Sequence, residues 1–593
     1  MRIVSFAVLI MLLNGLWAGL TNLPQDVGLD VPEGKLKSLS FAPFRAGQGP
    51  VQGIYPTPEQ IEADLKLISR KTHNIRTYAS SEGNMPKIPE LAGKYGLTML
   101  QGAWLNAPNV LQDKNKAEIA ELIRSANAHP DVVKRVIVGN EVLLRYDLTV
   151  EQLIGYIREV KRSVKQPVSY ADAWSMYMAH PELIKEVDFI TIHILPYWND
   201  RPIAADEAPA HIERMIKDIK QQANAIAPNK PILIGESGWP SAGRQRGSAI
   251  PSVVNEARFI RAFIKVAADN GIDYNIVESF NQTWKSAFEG VAGGNWGLYS
   301  ADRQEVFPLI GKVYENPQWH KALIASGIIF LMVTLRFWQS LQNLSSARLL
   351  IFLGFLQLLA VLLVSQMQHL WVNPLQIITP GDKAASLIRE LESFWHNGYS
   401  DIEHLQTAVI VGLSIVLGGL VLRRGYALLA DQTTSQTLSG FLYKLYGLFS
   451  LFALYKTYQL AVDGRYFSFP SAATYIAVVG LMGLIVIRTV TQSHWAWRIM
   501  AIDSLIGNTE SKFWQNKMLG SALVLMGLAL IAGETHSFMV KGDLIVEQPE
   551  FWIRLRVCLG FTLANCQLLG WLASLTVLAV PFLIGEAEKS AVS

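Results

Sequence analysis

Two different patterns of hydrophobic and polar positions divide the chain near residue 320. Before that point, short apolar runs of strand length alternate with amphipathic runs of helical length, eight times each. Beyond it, apolar stretches long enough to cross a bilayer recur. The first pattern predicts parallel strands covered on both faces by helices, and the second predicts a bundle of membrane-spanning helices.

The eight short apolar runs are the predicted strands of one closed sheet. They are Leu36–Phe44, Asn74–Ser80, Leu97–Leu105, Val133–Arg145, Pro167–Trp174, Asp188–Tyr197, Pro231–Trp239 and Asp273–Trp284. Between them, Thr57 and Thr149 each precede a Gln by three residues, the capping-box pattern that begins a helix. Eight such units favour a TIM barrel over an open sheet, which usually has fewer strands. The predicted fold class is therefore α/β, with a (β/α)8 TIM barrel at residues 30–318 and an all-α multi-pass transmembrane bundle at 320–586.

The membrane-spanning part is predicted from apolar segments of about 20 residues. The apolar run within residues 1–21 predicts either a cleaved signal peptide or an uncleaved signal anchor. The sequence near Ala18 is a poor match to a cleavage site and therefore favours the anchor. Seven further spans are predicted. They are residues 322–339, 348–366, 404–422, 440–462, 470–487, 517–533 and 557–584.

Charge in the connecting loops predicts the orientation. Basic loops, such as the one with Arg423 and Arg424, alternate with loops of mixed or acidic charge, such as the one with Glu390 and Glu392. By the positive-inside rule the basic loops are cytoplasmic, which places residues 21–320 outside and both termini inside. We therefore expect a bacterial inner membrane protein with a periplasmic barrel and the lipid bilayer as a partner. Two lysines within the 440–462 span, Lys444 and Lys456, either snorkel to the interfaces or line a polar path for sugar.

Composition narrows the classes of ligand. The formal net charge is only +3 over 593 residues, and no basic tract indicates a nucleic-acid partner. The two cysteines, Cys558 and Cys566, lie about 12 Å apart if the last span is one straight helix, too far for a disulfide. His193 has no metal-ligand partner at suitable spacing and is interpreted as a core histidine. We predict no metal and no cofactor.

Two predicted strands end on a glutamate where packing does not require one. The fourth runs through VIVGN to Glu141, and the seventh runs through ILIG to Glu236. Reactive groups of such barrels gather at the carboxyl ends of the strands, so we expect both carboxylates in one cleft. A glycosidase with retaining geometry needs such a pair about 5–5.5 Å apart, one as acid and one as nucleophile. The alternatives are a salt bridge from Glu141 to Arg145 and a loop-capping role for Glu236.

The motifs around these glutamates resemble glycoside hydrolase family 17, the β-1,3-glucanase and lichenase family. Residues 235–243 read GESGWPSAG, similar to the nucleophile signature, and residues 138–141 read VGNE, similar to the acid/base strand. Residues 279–285 (SFNQTWK) and 296–299 (WGLY) resemble the closing segment, and residues 76–78 match an Arg-x-Tyr pattern. The resemblance spans about residues 36–315. It implies a retaining mechanism with Glu141 as acid/base and Glu236 as nucleophile.

The resemblance also implies a set of residues that bind the glucan. We predict that Asn140 bonds a sugar hydroxyl, that Tyr197 holds the nucleophile ionised, and that Arg76 and Tyr78 line the site. Five tryptophans at or beyond strand ends are candidates for stacking on sugar rings. They are Trp104, Trp174, Trp198, Trp239 and Trp284, of which we favour Trp239 and Trp284.

Some details of the closing segment stay open. Lys285 and Glu289 resemble a charged pair near the family's cleft, either as a supporting ion pair or as substrate contacts. Asn281 and Gln282 stand where plant members usually carry acidic residues, so the local electrostatics differ from theirs.

The predicted function is a retaining hydrolase of β-1,3-glucan, of the endo-1,3-β-glucanase (laminarinase-like) type, at the periplasmic face of the inner membrane. The alternative is a β-1,3-glucan transglycosylase that remodels periplasmic or exported glucans, with the bundle as an aid to export. A β-glucan polysaccharide or oligosaccharide is the expected partner, and partners in glucan synthesis or export stay unknown. A transporter with a sensing barrel and a carbohydrate-binding pseudoenzyme are the competing classes. The scarcity of intramembrane charge apart from Lys444 and Lys456 speaks against the transporter, and the presence of both carboxylates speaks against the pseudoenzyme.

Overall fold

The computed structural model of the protein describes residues 1–377, 394–395, 397–492, 497–507 and 513–584, without the side chains of 108–113 and 513. The chain forms two compact units. One consists of Pro24–Glu315 with Pro380–Gly398, and the other of Met1–Leu23, Asn316–Thr379 and Tyr399–Ser593.

The first unit contains a closed barrel of parallel strands in the order β1 to β8. The strands are β1 (Leu36–Ser40), β2 (Thr72–Arg76), β3 (Thr98–Ala103), β4 (Val133–Asn140), β5 (Val168–Ala173), β6 (Ile190–His193), β7 (Ile232–Ser237) and β8 (Asp273–Ile276). The barrel closes where Leu39 of β1 pairs with Ile276 of β8. The predicted (β/α)8 barrel is thereby confirmed. The strands are shorter than the apolar runs, because several of those runs continue into the loops at the barrel mouth.

Helices alternate with these strands, and their starts follow the sequence signals. Thr57 and Thr149 both form complete capping boxes, with Gln60 and Gln152. The helices of this unit are Pro58–Ile68, Ile88–Lys94, Pro108–Ala128, Val150–Ser163, Trp174–Ala179, Glu182–Glu186, Ala208–Ile226, Val253–Asp269 and Ser286–Gly293. Their apolar faces pack on the outward side chains of the strands and form one large core. A smaller cluster of inward side chains belongs to the strand segments themselves: Leu100, Ile137, Ala171, Phe189 and Leu233.

The second unit is helical, and among the described residues eight of its helices are long and apolar enough to cross a membrane. They are Arg2–Thr21, Trp319–Arg336, Ser346–Val372, Asp401–Leu429, Gln436–Val462, Ser471–Thr491, Phe513–Met539 and Cys566–Leu583. Shorter helices lie between some of them: Trp338–Leu341, Ile502–Ile506, Gly542–Glu547 and Phe551–Leu563. A helical region with several long apolar helices therefore follows the barrel, as predicted.

The last predicted span, 557–584, differs from the structure. It is divided between the helices Phe551–Leu563 and Cys566–Leu583, and Asn565 caps the second one by accepting a hydrogen bond from the Leu568 amide at 3.1 Å. The assumption of one straight helix through both cysteines was therefore wrong, because an Asn cap begins a new helix between them. Both cysteines are free thiols.

Lys456 is buried inside the helical unit and does not snorkel. Its ammonium donates to the backbone carbonyl of Gln376 and, at 2.9 Å, to the side-chain oxygen of Gln459. Only 5% of the residue is exposed. The snorkelling interpretation of Lys456 is therefore corrected: its charge is satisfied by polar groups within the unit.

Candidate active site

Glu141 is delivered to the barrel mouth by a sharp change of backbone direction after β4. Gly139 has φ +86°, a conformation that suits glycine, and Glu141 itself has φ +52°. The Glu141 amide donates to the Ala171 carbonyl of the neighbouring strand at 2.8 Å, which fixes the bend. The Glu141 side chain is 28% exposed, so the carboxylate faces the open end of the barrel. The suspected salt bridge to Arg145 is absent from the described contacts, since Arg145 pairs with Asp147 at 2.7 Å.

Glu236 lies inside β7 and is almost completely buried. Its strand partner in the register is His193 of β6. The preceding residue must be glycine, because a Cβ on Gly235 would lie 2.5 Å from the Thr191 side chain and 3.4 Å from the Arg76 guanidinium. The glycine therefore lets the arginine approach the backbone beside the carboxylate.

His193 lies between the two glutamates. Its Nδ1 is 2.8 Å from Oε1 of Glu141, and its Nε2 is 3.5 Å from Oε1 of Glu236. One side-chain oxygen of each glutamate and a nitrogen of His193 all lie within 4.8 Å of one another. The structure thus brings the two predicted glutamates into one cleft, at a separation that matches retaining glycosidases. The interpretation of His193 as an ordinary core histidine is corrected, because both of its nitrogens face catalytic candidates.

Arg76 at the end of β2 is the cation that holds Glu236. Only 1% of Arg76 is exposed, and it donates to Oε1 of Glu236 at 3.0 Å and to the Gly235 carbonyl at 2.7 Å. Its second terminal nitrogen donates to Oδ1 of Asn140 at 2.5 Å. A single guanidinium fork therefore fixes β4 and β7 together at the site.

Tyr78 and Asn140 lie beside this fork, as predicted. The Arg76 guanidinium lies over the Tyr78 ring at 4.7 Å, and the Tyr78 hydroxyl lies 2.8 Å from the Ser40 hydroxyl. Burial, reinforced by the charge of Glu236, raises the pKa of Tyr78 well above its ordinary value, so its hydroxyl keeps its proton.

Two opposing effects act on the pKa of Glu141. Burial alone would raise its pKa, but the hydrogen bond and charge of His193, helped by Arg145 and Arg76, outweigh burial and lower the pKa. The hydrogen bond to His193 therefore places a proton directly beside the proposed acid.

Asp172 at the end of β5 is a second carboxylate near Glu141. Its oxygens accept the Tyr170 hydroxyl, the Ala173 amide at 2.7 Å and the Leu144 amide at 3.3 Å. Burial nevertheless raises the pKa of Asp172, and the charge of Glu141 adds to the rise. Asp172 thus orders the turn that follows Glu141.

Lys285 pairs with a carboxylate that sequence reasoning did not single out. Its ammonium lies 2.9 Å from Oε1 of Glu278, just after β8, and Glu278 is 1% exposed. No ion pair within 4.0 Å joins Lys285 to Glu289 among the described residues, so the expected pair is corrected to Lys285–Glu278. Burial raises the pKa of Glu289 to about 7, Lys285 opposes this rise, and the charges of Glu278, Glu141 and Glu236 add to it.

Two predicted binding residues have other tasks in the structure. The Tyr197 hydroxyl donates to the Arg244 carbonyl at 2.5 Å, so the role of holding Glu236 belongs to Arg76. Trp239 is completely buried: its ring packs at 5.9 Å from Tyr197 and 5.5 Å from Phe259, and its NH is satisfied by a backbone carbonyl. The prediction that Trp239 stacks on sugar is therefore wrong for this structure, since no face of the indole is open.

The other tryptophans remain near the barrel mouth. Trp284 is partly buried against Phe44, and its NH donates to Oε1 of Gln282 at 3.0 Å. The Trp104 ring lies under the Arg145 guanidinium at 4.3 Å, and Trp174 stacks on Tyr177. Trp198 stacks on Trp296.

The remaining polar pair of the closing segment has a structural role. Asn281 accepts from the Gly297 amide at 2.8 Å, and Gln282 donates to the Ala42 carbonyl at 2.7 Å. Asn281 also donates to Oδ1 of Asn295 at 3.1 Å. The two bonds that these amides donate tie the loop after β8 to its neighbours, and acidic side chains would not donate them.

Glu141, His193 and Glu236 offer three donor atoms close enough together for a metal ion. The Arg76 guanidinium, however, already supplies a positive charge 3.0 Å from Glu236. A cation at the same carboxylate would be repelled by this buried arginine, so the donor set fits a hydrogen-bonded acid–base cluster better than a metal centre.

Three residues of the site were not predicted to belong to it, because no motif in the sequence marks them: His193, Asp172 and Glu278. Each lies at or just beyond the end of its strand, β6, β5 and β8. Their position at the carboxyl ends of predicted strands was the available clue, the same one that pointed to Glu141 and Glu236.

Comparison with known proteins places the barrel among glycoside hydrolases. Residues 38–297 match a family model described as the BtgE/BtgC glycoside hydrolase domain. A glucan 1,3-beta-glucosidase of Arthroderma benhamiae is 27% identical over 263 residues, which are 42% of this chain and 82% of that protein. A glucan 1,3-beta-glucosidase of Schizosaccharomyces pombe is 27% identical over 271 residues, which are 43% of this chain and 77% of that protein.

Among solved structures, the chain is similar to an active-site mutant of the Rhizomucor miehei beta-1,3-glucanosyltransferase in complex with laminaritriose. It is 25% identical, with a TM-score of 0.39, and the alignment covers 46% of this chain and 97% of that one. The family match and the two curated relatives confirm the glycoside hydrolase resemblance predicted from the sequence. They cover the barrel and less than half of the whole chain.

Proposed function

We propose that the chain cleaves β-1,3-linked glucan with retention of configuration, because residues 38–297 match the model of the BtgE/BtgC glycoside hydrolase domain. The observation that carries this proposal is the pair Glu141 and Glu236, whose carboxylate oxygens lie within 4.8 Å around His193. The names of the two relatives, both glucan 1,3-beta-glucosidases, support the choice of substrate.

In the first step, Glu236 attacks the anomeric carbon while the bond to the leaving oxygen breaks. Arg76 and His193 both face Oε1 of Glu236, which leaves Oε2 as the attacking atom. The guanidinium orients the buried carboxylate through its hydrogen bond to Oε1 until the covalent intermediate forms. The products are a glycosyl ester on Glu236 and the leaving part of the glucan.

The leaving oxygen needs a proton, and Glu141 provides it. Oε1 of Glu141 is engaged by His193, so Oε2 is the oxygen that faces the glycosidic bond. The acid form of Glu141 carries its proton on Oε2, gives it to the leaving oxygen as the glycosidic bond breaks, and becomes a carboxylate whose Oε1 lies 2.8 Å from Nδ1 of His193. In the second step Glu141 takes a proton from the incoming nucleophile, and the ester to Glu236 breaks.

Asn140 is placed to recognise the sugar that reacts. Its amide oxygen is fixed by Arg76 at 2.5 Å, which turns its NH2 group away from the arginine. That group is available to donate to a hydroxyl of the glucosyl unit bound at Glu236, as hydroxyl contacts that strengthen in the transition state require.

The nucleophile of the second step decides between two activities. Water gives hydrolysis, which is our first choice, and a glucan hydroxyl gives transglycosylation, the alternative. Both use the same two glutamates, and the competition depends on whether an acceptor sugar occupies the leaving-group side of the cleft.

The long apolar helices suggest where the reaction takes place. Eight of them are compatible with spanning a membrane, and the loop charges favour a barrel on the outer side. We therefore place the enzyme in a bacterial inner membrane with residues 30–318 in the periplasm, anchored by residues 1–21 and 320–586. Protease protection of tagged loops in intact cells and in inverted vesicles tests this placement.

The enzymatic proposal is tested on the full chain in detergent micelles with laminari-oligosaccharides. We expect cleavage of β-1,3-linked and not of β-1,4-linked oligomers, with the β-anomer appearing first in the proton NMR spectrum. Glu236→Gln should lower turnover by at least about a thousandfold, because the amide cannot form the glycosyl ester. Products longer than the substrate indicate transfer.

The matched control is Glu213→Gln, which removes an exposed carboxylate that pairs with Lys217. Its turnover should equal that of the wild type. Unchanged turnover in Glu236→Gln, or an α-anomer as the first product, contradicts the double-displacement mechanism.

A further inference from the structure

The turn that follows Glu141 holds this residue in a backbone conformation that side chains rarely adopt. Glu141 has φ +52°, in the left-handed region, and the bend before it at Gly139 has φ +86°. A Cβ on Gly139 would lie 2.7 Å from the Val142 side chain, so the bend is closely packed. A strained residue keeps such a conformation only where its surroundings over-determine it. The groups that fix this turn therefore bear on the direction of the Glu141 carboxyl.

Two buried side chains of β5 hold the turn by its backbone amides. The Leu143 amide donates to the Tyr170 hydroxyl at 2.9 Å, and the Leu144 amide donates to Oδ2 of Asp172 at 3.3 Å. The Tyr170 hydroxyl in turn donates to the same Oδ2 of Asp172. Both Tyr170 and Asp172 are 0% exposed. They form a buried hydroxyl–carboxylate pair whose acceptor atoms receive two successive amides of the turn.

The Tyr170–Asp172 pair is itself fixed by its surroundings. The Ala173 amide donates to Oδ1 of Asp172 at 2.7 Å, and the Tyr177 hydroxyl donates to the Tyr170 carbonyl at 2.5 Å. The Tyr170 ring packs against the bend, since a Cβ on Gly139 would lie 3.5 Å from it. The pair is therefore rigid enough to determine where the turn lies.

The pair acts on the turn from outside the barrel interior. Tyr170 belongs to the large core between strands and helices, whereas Ala171 belongs to the inward cluster. Because successive side chains of a strand point to opposite faces, Asp172 lies on the same face as Tyr170. The Ala171 carbonyl between them accepts the Glu141 amide at 2.8 Å. Three consecutive residues of β5 thus hold Glu141 and its turn without reaching the sugar.

A buried carboxylate is a demanding way to fix a turn. Removal of a carboxyl group from water costs free energy that its hydrogen bonds must offset, and burial raises the pKa of Asp172. The bonds that satisfy Asp172 come from β5, from the residue that follows it, and from the turn after Glu141. The one residue of that turn with a chemical task is Glu141.

We propose that Tyr170 and Asp172 are positioning residues for acid/base catalysis, which hold the turn so that the Glu141 carboxyl faces the glycosidic oxygen. This inference rests on the proposed function. The nucleophile Glu236 stands on β7 and is held by Arg76, so its placement does not depend on the pair. Loss of the pair therefore weakens proton transfer and leaves the attack on the anomeric carbon intact.

The test compares two leaving groups. The sugar hydroxyl that leaves from laminarihexaose needs the proton of Glu141, whereas dinitrophenolate leaves a dinitrophenyl β-laminaribioside without one. For the full chain in detergent micelles, Tyr170→Phe should lower kcat/KM on laminarihexaose about tenfold and on the dinitrophenyl substrate less than about twofold. Asp172→Asn, which keeps the size of the side chain, should change the ratio in the same direction. Because both rates come from one sample, their ratio does not depend on the fraction of folded protein.

Azide provides a second readout, for the step that releases the glycosyl ester from Glu236. Water needs Glu141 as a base in this step, but azide is already an anion. Azide attacks the anomeric carbon, the bond to the Glu236 carboxylate breaks, and a β-glycosyl azide is the product. Azide should therefore raise kcat of Tyr170→Phe on the dinitrophenyl substrate and leave kcat of the wild type unchanged.

Tyr177→Phe is the matched control. It removes a hydroxyl that is equally buried in the same core, but this hydroxyl donates to the Tyr170 carbonyl and does not contact the turn. Its ratio of the two rates should equal that of the wild type. Glu141→Gln marks the other limit, with the largest loss on laminarihexaose and with rescue by azide.

Equal fractional losses on both substrates in Tyr170→Phe and Asp172→Asn overturn the inference, because they would mean that the pair only stabilises the barrel. Unchanged rates in both variants overturn it as well. If the wild type cleaves neither substrate, the proposed function fails and this inference fails with it. If Glu141→Gln shows the selective loss and the two β5 variants do not, the proposed function stands and only the positioning role is disproved.

Discussion

Replacing Glu289 by glutamine should change how the stability of the barrel depends on pH. Glu289 lies in the first turn of the helix Ser286–Gly293, among the carboxylates of the site. Burial raises its pKa to about 7; Lys285 opposes the rise, and the charge of Glu278 adds to it. The group therefore stays protonated in the folded protein over a range in which the unfolded chain has already lost the proton.

The sign and size of the effect follow from this difference. Because the folded pKa is raised, the stabilisation is complete below about pH 4.5 and is lost as the pH rises to about 7. At about 1.4 kcal/mol for each pH unit, the loss amounts to roughly 3 kcal/mol. Glu289→Gln is neutral at every pH, so it should be about as stable as the wild type at pH 4 and more stable by up to about 3 kcal/mol at pH 8. For a domain of this size that corresponds to about 5 °C in the transition.

The assay is differential scanning calorimetry of the full chain in detergent between pH 4 and pH 8. The transition that shifts on addition of a laminari-oligosaccharide identifies the barrel, since a ligand stabilises only the unit that binds it. Glu213→Gln, at an exposed position, should give a curve parallel to the wild type. Parallel curves for Glu289→Gln and the wild type would refute the reasoning, because they would mean that Glu289 titrates alike in both states.

Three further changes test the roles of single groups. Arg76→Met should lower kcat/KM at least about a hundredfold, and Arg76→Lys should not restore it, because one ammonium cannot serve the three acceptors of the guanidinium; rescue by Lys would contradict this. His193→Gln should move the alkaline limb of the pH–rate profile to higher pH, since losing His193 raises the pKa of the acid Glu141, which then keeps its proton to higher pH; an unmoved limb would contradict the contribution of His193. Trp239→Ala should destabilise the barrel by about 3–5 kcal/mol, measured by its thermal transition, with little change in KM; the reverse result would restore a stacking role.

The parts of the structure that could be predicted from the sequence are those encoded by local pattern. The eight apolar runs and the capping boxes at Thr57 and Thr149 each depend on a few neighbouring residues, and both appear in the structure. The two glutamates belong to this class, because a carboxylate directly after an apolar strand is visible without knowledge of the tertiary fold.

The parts that could not be predicted depend on contacts between distant strands. Arg76 bonds Glu236 across 160 residues of sequence, and His193 meets Glu141 across 52. The orientation of the Trp239 side chain likewise could not be predicted from its position in the sequence. Two residues past a strand end, a tryptophan points either into the cleft or against the outer helices, and only its packing on Phe259 decides which. The break between the last two helices at Asn565 was not predicted. Asn is a common N-cap residue, but the apolar residues on both sides of it favoured one continuous helix.

Carboxylates outnumber cations in the site, and this imbalance suits the charge that develops on a sugar ring during glycosidic cleavage. The acidic groups are five: Glu141, Asp172, Glu236, Glu278 and Glu289. Against them stand the positive charges of Arg76, Arg145 and Lys285. Burial raises the pKa of three of the acids, so the cluster retains protons where separate carboxyls would lose them. Glycosidic cleavage builds positive charge on the sugar ring in an oxocarbenium-like transition state. A cleft with a surplus of carboxylates, partly neutralised by protons, favours that charge while keeping a proton within reach of the leaving oxygen.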